Sequence, residues 1–185
     1  MKKSLVLLEL KNISTGFLVF DEITKNFNVD IEVSKLLCPG RYMIICSGNQ
    51  GEIESLRRHI LYLKEQEEYK HITERVVSGV DVDLIKKLNK TIKFPERVRS
   101  LGMLEFSNTV QAIETADFIE DESPVEVLTI KIGIGMCNKG VVLFEGDTSA
   151  VKNTVVKVQN LKIKELIAAT NINSPNEDFL SNFHL

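Results

Sequence analysis

Ser100-Leu101-Gly102-Met103-Leu104-Glu105 repeats, at a constant offset, the opening Ser4-Leu5-Val6-Leu7-Leu8-Glu9, and this recurrence decides the fold. The same offset carries Asn12 onto Asn108, Asp21 onto Asp117, Ile23 onto Ile119, Val29 onto Val125 and Lys35 onto Lys131 without a gap. Beyond Lys131 the second copy gains two residues, after which Gly48 meets Gly146 and Ile53 meets Val151. Two copies of roughly 90 residues are too long for solenoid repeats and suit two duplicated domains, each burying its own modest core.

Each copy reads alike. Leu5 to Leu10 is a short apolar strand, and Phe17, Phe20, Ile23, Thr24 and Phe27 recur near helical spacing, so a helix follows. Val29 to Leu37 alternates apolar and polar residues as a half-buried strand does, and Tyr42 to Cys46 is the next strand. The short connection at Cys38-Pro39-Gly40 makes these two a hairpin. Asn49 followed by Glu52 is a capping box, opening a helix through Ile53, Leu56, Ile60 and Leu63; Asp147 takes the cap position in the second copy. Final strands are predicted near Ile72 to Val77 and near Ile163 to Ala168. Strand, helix, strand, strand, helix, strand, twice over, is an α+β arrangement of two tandem ferredoxin-like domains, each an antiparallel sheet with helices on one face. The domains are predicted over 1–92 and 100–185, joined by a linker over 93–99 that contains Pro95. Asp81 to Lys90 reads as a short extra helix, and the tail after Ser174 is polar except at Phe179, Leu180 and Phe183.

Composition excludes several classes. The 185 residues are 43% hydrophobic and 26% charged, ordinary for a soluble globular chain. A net charge of −3 and a pI near 5.7 argue against nucleic acid held by phosphate neutralisation. The run Leu5-Val6-Leu7-Leu8 is cut by Glu9, far short of a signal or spanning segment, so a cytoplasmic protein without membrane attachment is expected. Cys38, Cys46 and Cys137 are odd in number and lack paired spacing, which fits free thiols in a reducing compartment.

Cys38 sits alone in Ser34-Lys35-Leu36-Leu37-Cys38-Pro39-Gly40-Arg41. One thiol cannot complete a zinc or iron-sulfur site, so a metal at Cys38 requires several copies of the chain to meet there. Equally, a cysteine before Pro-Gly is a small residue that a turn tolerates. Cys46, among Ile44 and Ile45, reads as core packing.

Enzyme motifs are missing. Gly133-Ile134-Gly135 lacks the third glycine of a dinucleotide loop, and Gly135 to Gly140 is followed by Val141 and Val142 where a P-loop needs Lys and Ser or Thr. His59, His71 and His184 show no ligand spacing, and His59 after Arg57-Arg58 reads as a solvated helix face. Glu9 and Glu105, at equivalent strand ends, read as a shared structural role rather than an acid and base pair.

Leu101-Gly102-Met103-Leu104-Glu105 and Ala112-Ile113-Glu114-Thr115-Ala116-Asp117 resemble the opening of the bacterial microcompartment (BMC) shell domain, where LGM(I/V)E precedes AIEAAD. Lys131-Ile132-Gly133-Ile134-Gly135 resembles that family's KIGSG pore loop, and Glu145-Gly146-Asp147-Thr148-Ser149-Ala150-Val151 its RGDVGAV helix start. The first copy matches through Leu8-Glu9, Asp21, Lys35 and Gly48. Its Ser34 to Gly40 stretch is similar to the SKTICPGK segment of tandem-domain, iron-sulfur members of propanediol-utilisation shells. The domain order resembles that of the unpermuted members.

The resemblance implies a structural tile rather than an enzyme. Three chains would form a homotrimer, a pseudohexameric tile with a central pore, in the shell of a cytoplasmic microcompartment beside other BMC shell proteins and encapsulated redox enzymes. Leu37, Cys38, Pro39 and Gly40 of the first loop and Ile134, Gly135 and Met136 of the second would line the pore. Three Cys38 thiolates would then converge on the threefold axis and could hold one 4Fe-4S cluster per trimer, with electron transfer across the shell as its use. Cys137 falls in the two-residue insertion beside the second loop. At the tile edge the family's packing lysine corresponds to Lys25 in the first copy and to Asp121 in the second, and the arginine of its terminal PRPH motif has no counterpart in Asn171-Ile172-Asn173-Ser174-Pro175. A carboxylate cannot make the lysine's contacts, so a minority tile that forms no sheets alone is expected. The alternatives are a metal-free tile whose pore passes metabolites, and a trimeric ferredoxin-like regulator that binds small effectors between subunits.

Overall fold

The central strands of each sheet are apolar and buried almost throughout, the outer strands are only partly buried, and the helices return across the sheet to cover its apolar face. The computed structural model describes residues 1–133, 136 and 139–183. The first unit spans Met1–Lys86 and takes in Gly133 and Met136; the second holds Lys87–Ile132 and the chain from Lys139 onward.

In the first unit, β1 (Lys2–Leu10) leads to α1 (Ile13–Asn26), β2 (Asp30–Leu37), β3 (Arg41–Gly48), α2 (Gln50–Leu63), β4 (Thr73–Asp81) and the short α3 (Val82–Ile85). The antiparallel sheet has the order β2-β3-β1-β4. Val6, Leu8, Ile44 and Cys46 of the sheet form one core cluster with Val19 and Ile23 of α1 and Ile53, Leu56 and Ile60 of α2. Each of the larger side chains contributes about 1.5–3 kcal/mol by leaving water. The capping box at α2 is formed: Glu52 N donates to Asn49 Oδ1 at 3.0 Å and Asn49 N to Glu52 Oε2 at 2.9 Å.

The second unit repeats this with β5 (Ser100–Phe106), α4 (Thr109–Glu122), β6 (Val125–Ile132), β7 (Gly140–Gly146), α5 (Thr148–Asn160), β8 (Leu166–Asn173) and α6 (Glu177–Ser181), in the sheet order β6-β7-β5-β8. Registers coincide: Ser4 faces Gly48 as Ser100 faces Gly146. Even the irregularities are duplicated, since the register shifts between Ile31 and Val33 in β2 and between Val127 and Thr129 in β6.

Lys87 to Lys90 lies along the outer edge of β6. Asn89 N donates to Ile130 O at 2.8 Å, Ile130 N to Lys87 O at 3.1 Å and Ile132 N to Asn89 Oδ1 at 3.0 Å, while Leu88 bridges Ile130 in parallel. The Thr129 hydroxyl reaches Lys90 O at 3.0 Å, and Lys87 Nζ reaches Glu120 Oε1 at 2.5 Å. An edge strand's unpaired backbone groups are satisfied here by a strap rather than a strand.

Five expectations need correction. The extra helix expected over Asp81 to Lys90 is confined to Val82–Ile85, because Lys87 to Lys90 bonds along β6 instead. The last strand of the second copy starts at Leu166, not near Ile163, because Lys162 adopts a positive φ of 51° and Leu166 N turns back onto Ile163 O. Asp147 stands at the cap position of α5 without a side-chain cap bond, because its carboxylate accepts from the Arg99 guanidinium instead. The buried face of α1 is Thr15, Gly16, Val19 and Ile23, which leaves Phe17 exposed. His59 is tied into the helix layer rather than solvated: Nε2 lies 2.7 Å from Glu22 Oε1, and the ring packs 5.2 Å from that of Phe27.

Candidate functional site

The β2–β3 hairpin turn carries the one loop thiol among the described residues. Leu37 ends β2 with its side chain buried, Cys38 is half-buried, and Pro39 and Gly40 are exposed. Gly40 closes the turn with φ +63°, a backbone region that glycine enters without a steric cost. Just beyond the turn, Arg41 Nη1 donates to Glu9 Oε1, and Ser34 Oγ and Tyr42 Oη lie 2.5 Å apart across the strands. The Arg41 guanidinium is therefore committed to a carboxylate. Glu105 repeats the arrangement with Lys139, Nζ to Oε1 at 2.5 Å. The duplicated glutamates thus brace strand ends, as their equivalent positions suggested.

Of the second loop, Gly133 and Met136 are described; Ile134, Gly135 and Cys137 lie outside the described residues. Gly133 is buried at φ +111°, and a Cβ there would come 2.7 Å from Lys35 Cδ and 3.6 Å from Leu37 Cδ2. The stem of Lys35 and the end of β2 therefore lie against this glycine. Sequence alone does not pair these two residues; the signal is the glycine itself, a residue chosen where φ is positive and another chain segment comes close. Met136 is half-buried, its amide donating to Gly133 O at 3.2 Å. Burial holds the Lys131 ammonium below its ordinary pKa.

Cys46 is unlike Cys38. It is fully buried in the sheet, and burial, helped by the charge of Glu32, pushes its thiol up to about 12. It stays neutral and unreactive. Among the described residues no three His, Cys, Asp or Glu side chains converge as a metal site within the chain. A metal at Cys38 would need thiolates from other copies.

Two open clefts occupy equivalent places in the units. One, of about 310 Å³, is lined by residues including Lys3, Asn28, Asp30, Asn49 and Glu52; the other, of about 350 Å³, by Glu122, Pro124, Asp147, Asn153 and Lys157. Both hold mixed charges at helix starts and neither assembles a nucleophile with a base. Lys25 and Asp121, the expected edge residues, stand exposed in the last turns of α1 and α4, Lys25 Nζ at 2.6 Å from Asp21 Oδ2.

Residues 100–175 match the BMC domain. The chain is 24% identical over 162 residues to the bacterial microcompartment shell protein PduT of Citrobacter freundii, covering 84% of this chain and 82% of that protein. The crystal structure of a microcompartment protein from Desulfitobacterium hafniense DCB superposes with a TM-score of 0.80 at 22% identity, covering 98% of this chain and 99% of that one. The fused permuted hexameric shell protein of the RMM microcompartment gives 0.51 at 16% identity, covering 85% of both chains.

Proposed function

We propose that the chain, with a BMC domain over its second repeat and the same fold before it, is a bacterial microcompartment shell protein that serves as a trimeric tile whose pore holds an iron-sulfur cluster. It is a structural protein of a cytoplasmic compartment's shell, not an enzyme. The observation that carries the finer reading is the half-buried Cys38 thiol on the first repeat's pore-loop turn.

The donor set fits such a cluster only in a trimer. Three Cys38 thiolates, one from each chain, suit three irons and leave the fourth to an exogenous ligand. A bound 4Fe-4S cluster supplies one-electron transfer. The chain's own part is to present the sulfur. The Leu37 side chain anchors the end of β2, the Pro39-Gly40 turn leaves Cys38 half-exposed, and Arg41 pairs with Glu9. Cys46, neutral and enclosed, takes no part.

Anaerobic purification followed by visible absorption and EPR spectra tests this. A cluster signal is expected in the native protein and none in Cys38→Ala, with both forms sedimenting as trimers. No signal in the native protein, or its survival in Cys38→Ala, would overturn the cluster and leave a metal-free tile. A monomer would overturn the pore.

A further inference from the structure

The two repeats differ most in what covers the outer edge of the second strand. In the second unit Ile113, Ile130 and Ile132 are 1%, 0% and 2% exposed, and the strap Lys87 to Lys90 lies along β6 beside them. Their counterparts in the first repeat are Phe17, Ser34 and Leu36. Phe17 is 55% exposed and Leu36 44%, and Ser34 is exposed too. These form one patch: Leu36 faces Tyr42 in register, the Phe17 ring stands 5.0 Å from the Tyr42 ring, and Ser34 bonds the Tyr42 hydroxyl. An edge strand bearing exposed leucine beside exposed phenylalanine invites a covering segment.

The repeat itself identifies that segment. The strap follows α3, which follows β4; its counterpart follows α6, which follows β8. Asp81 caps α3 by accepting from Asp83 N at 2.9 Å, and Asn176 caps α6 by accepting from Phe179 N at 2.7 Å. In this register Leu84, Ile85 and Leu88 correspond to Phe179, Leu180 and Phe183. Leu84 and Ile85 are buried, whereas Phe179, Leu180 and Phe183 are all half-exposed. Within one chain Phe183 rests against Phe94 and Phe179, with ring centroids 5.8 and 5.4 Å away.

We propose that the end of one chain, from α6 to Phe183, straps the β2 edge of a second copy, with Phe183 seated on Leu36 and Phe17. This rests on the trimeric reading and gives it a mechanism. The strap within a chain and the strap between chains are then the same contact, made alternately, and a head-to-tail contact closes when its rotation closes.

Cysteine cross-linking tests it in full-length protein lacking Cys38. Chains carrying both Leu36→Cys and Phe183→Cys, oxidised and run without reductant, are expected to give covalent dimers and trimers. Each single variant alone gives no such ladder, and co-expressing the two restores a covalent dimer. A trimer in sedimentation with no inter-chain bond, or with the bond closed only within one chain, overturns the strap and leaves the trimer standing; a monomer overturns both. Independently, Phe183→Asp is expected to weaken association about tenfold or more, as loss of a buried aromatic anchor does. Unchanged association would overturn the strap.

Discussion

Glu145 faces Glu126 directly across β6 and β7. Burial first, then the like charge of Glu126, raises its carboxyl pKa above the ordinary 4.5, and nearby Arg99 only partly offsets this. The folded chain therefore holds this proton more tightly than the unfolded chain. The stabilisation is complete below pH 4.5 and is lost as pH rises through the folded value, so at neutral pH the pair is a liability. Glu145→Gln is expected to raise stability at about pH 7 by roughly 0.5 kcal/mol, the scale of an unfavourable cross-strand pair. Urea unfolding should show that gain shrinking as the pH is lowered through the carboxylate range; a gain independent of pH would contradict the assignment. Residue roles of this kind were unevenly legible. Cys46 announced itself as core by standing among isoleucines, but nothing in the sequence placed Glu126 opposite Glu145, because that pairing depends on the bulge between Val127 and Thr129.

Within the elements, the repeats exchange volume between facing positions. Val6 faces Cys46 in the first sheet, while Gly102 faces Phe144 in the second. A Cβ on Gly102 would stand 2.1 Å from the Phe144 ring. A second exchange runs between sheet and helix: Gly16 makes room for Tyr42, and Ala112 faces Gly140, whose added Cβ would stand 2.4 Å from that of Ala112. Large and small residues trade places so that each layer keeps its packing density. Gly102→Ala is expected to cost about 1–3 kcal/mol as overpacking, and Phe144→Leu combined with it should recover at least half of that. Denaturant midpoints of the three proteins measure this; additive losses would refute the coupling. The glycine and phenylalanine were plain in the sequence. Their contact was not, because a register off by one residue would send them to opposite faces.

At the scale of the whole molecule the positions proposed for the tile edge depart from the repeat's symmetry, with Lys25 in the first repeat and Asp121 in the second. Lys25 already holds Asp21 within its own helix. Alternating a cation with a carboxylate around the proposed trimer removes half of the identical edge contacts that a self-assembling sheet would use. The purified protein is therefore expected, by electron microscopy, as discrete particles of trimer size, entering sheets only when mixed with other shell proteins. Extended flat sheets of the protein alone would refute this.

The sequence by itself determined the duplication, the order of elements and the hairpin at Cys38, because these follow from local periodicity and from residues recurring at fixed offset, and its motifs carried the resemblance to BMC shell domains. It also showed the apolar spots of the tail. Only the tertiary structure decided that residues 87–90 cover the edge of β6, that Lys35 lies beside Gly133, and that Phe17 and Leu36 are left exposed in one repeat while their counterparts are buried in the other. Those facts concern which segments meet across long separations. Local pattern is blind to them, since a strap and a free loop obey the same short-range rules and differ only in the partner that satisfies their backbone.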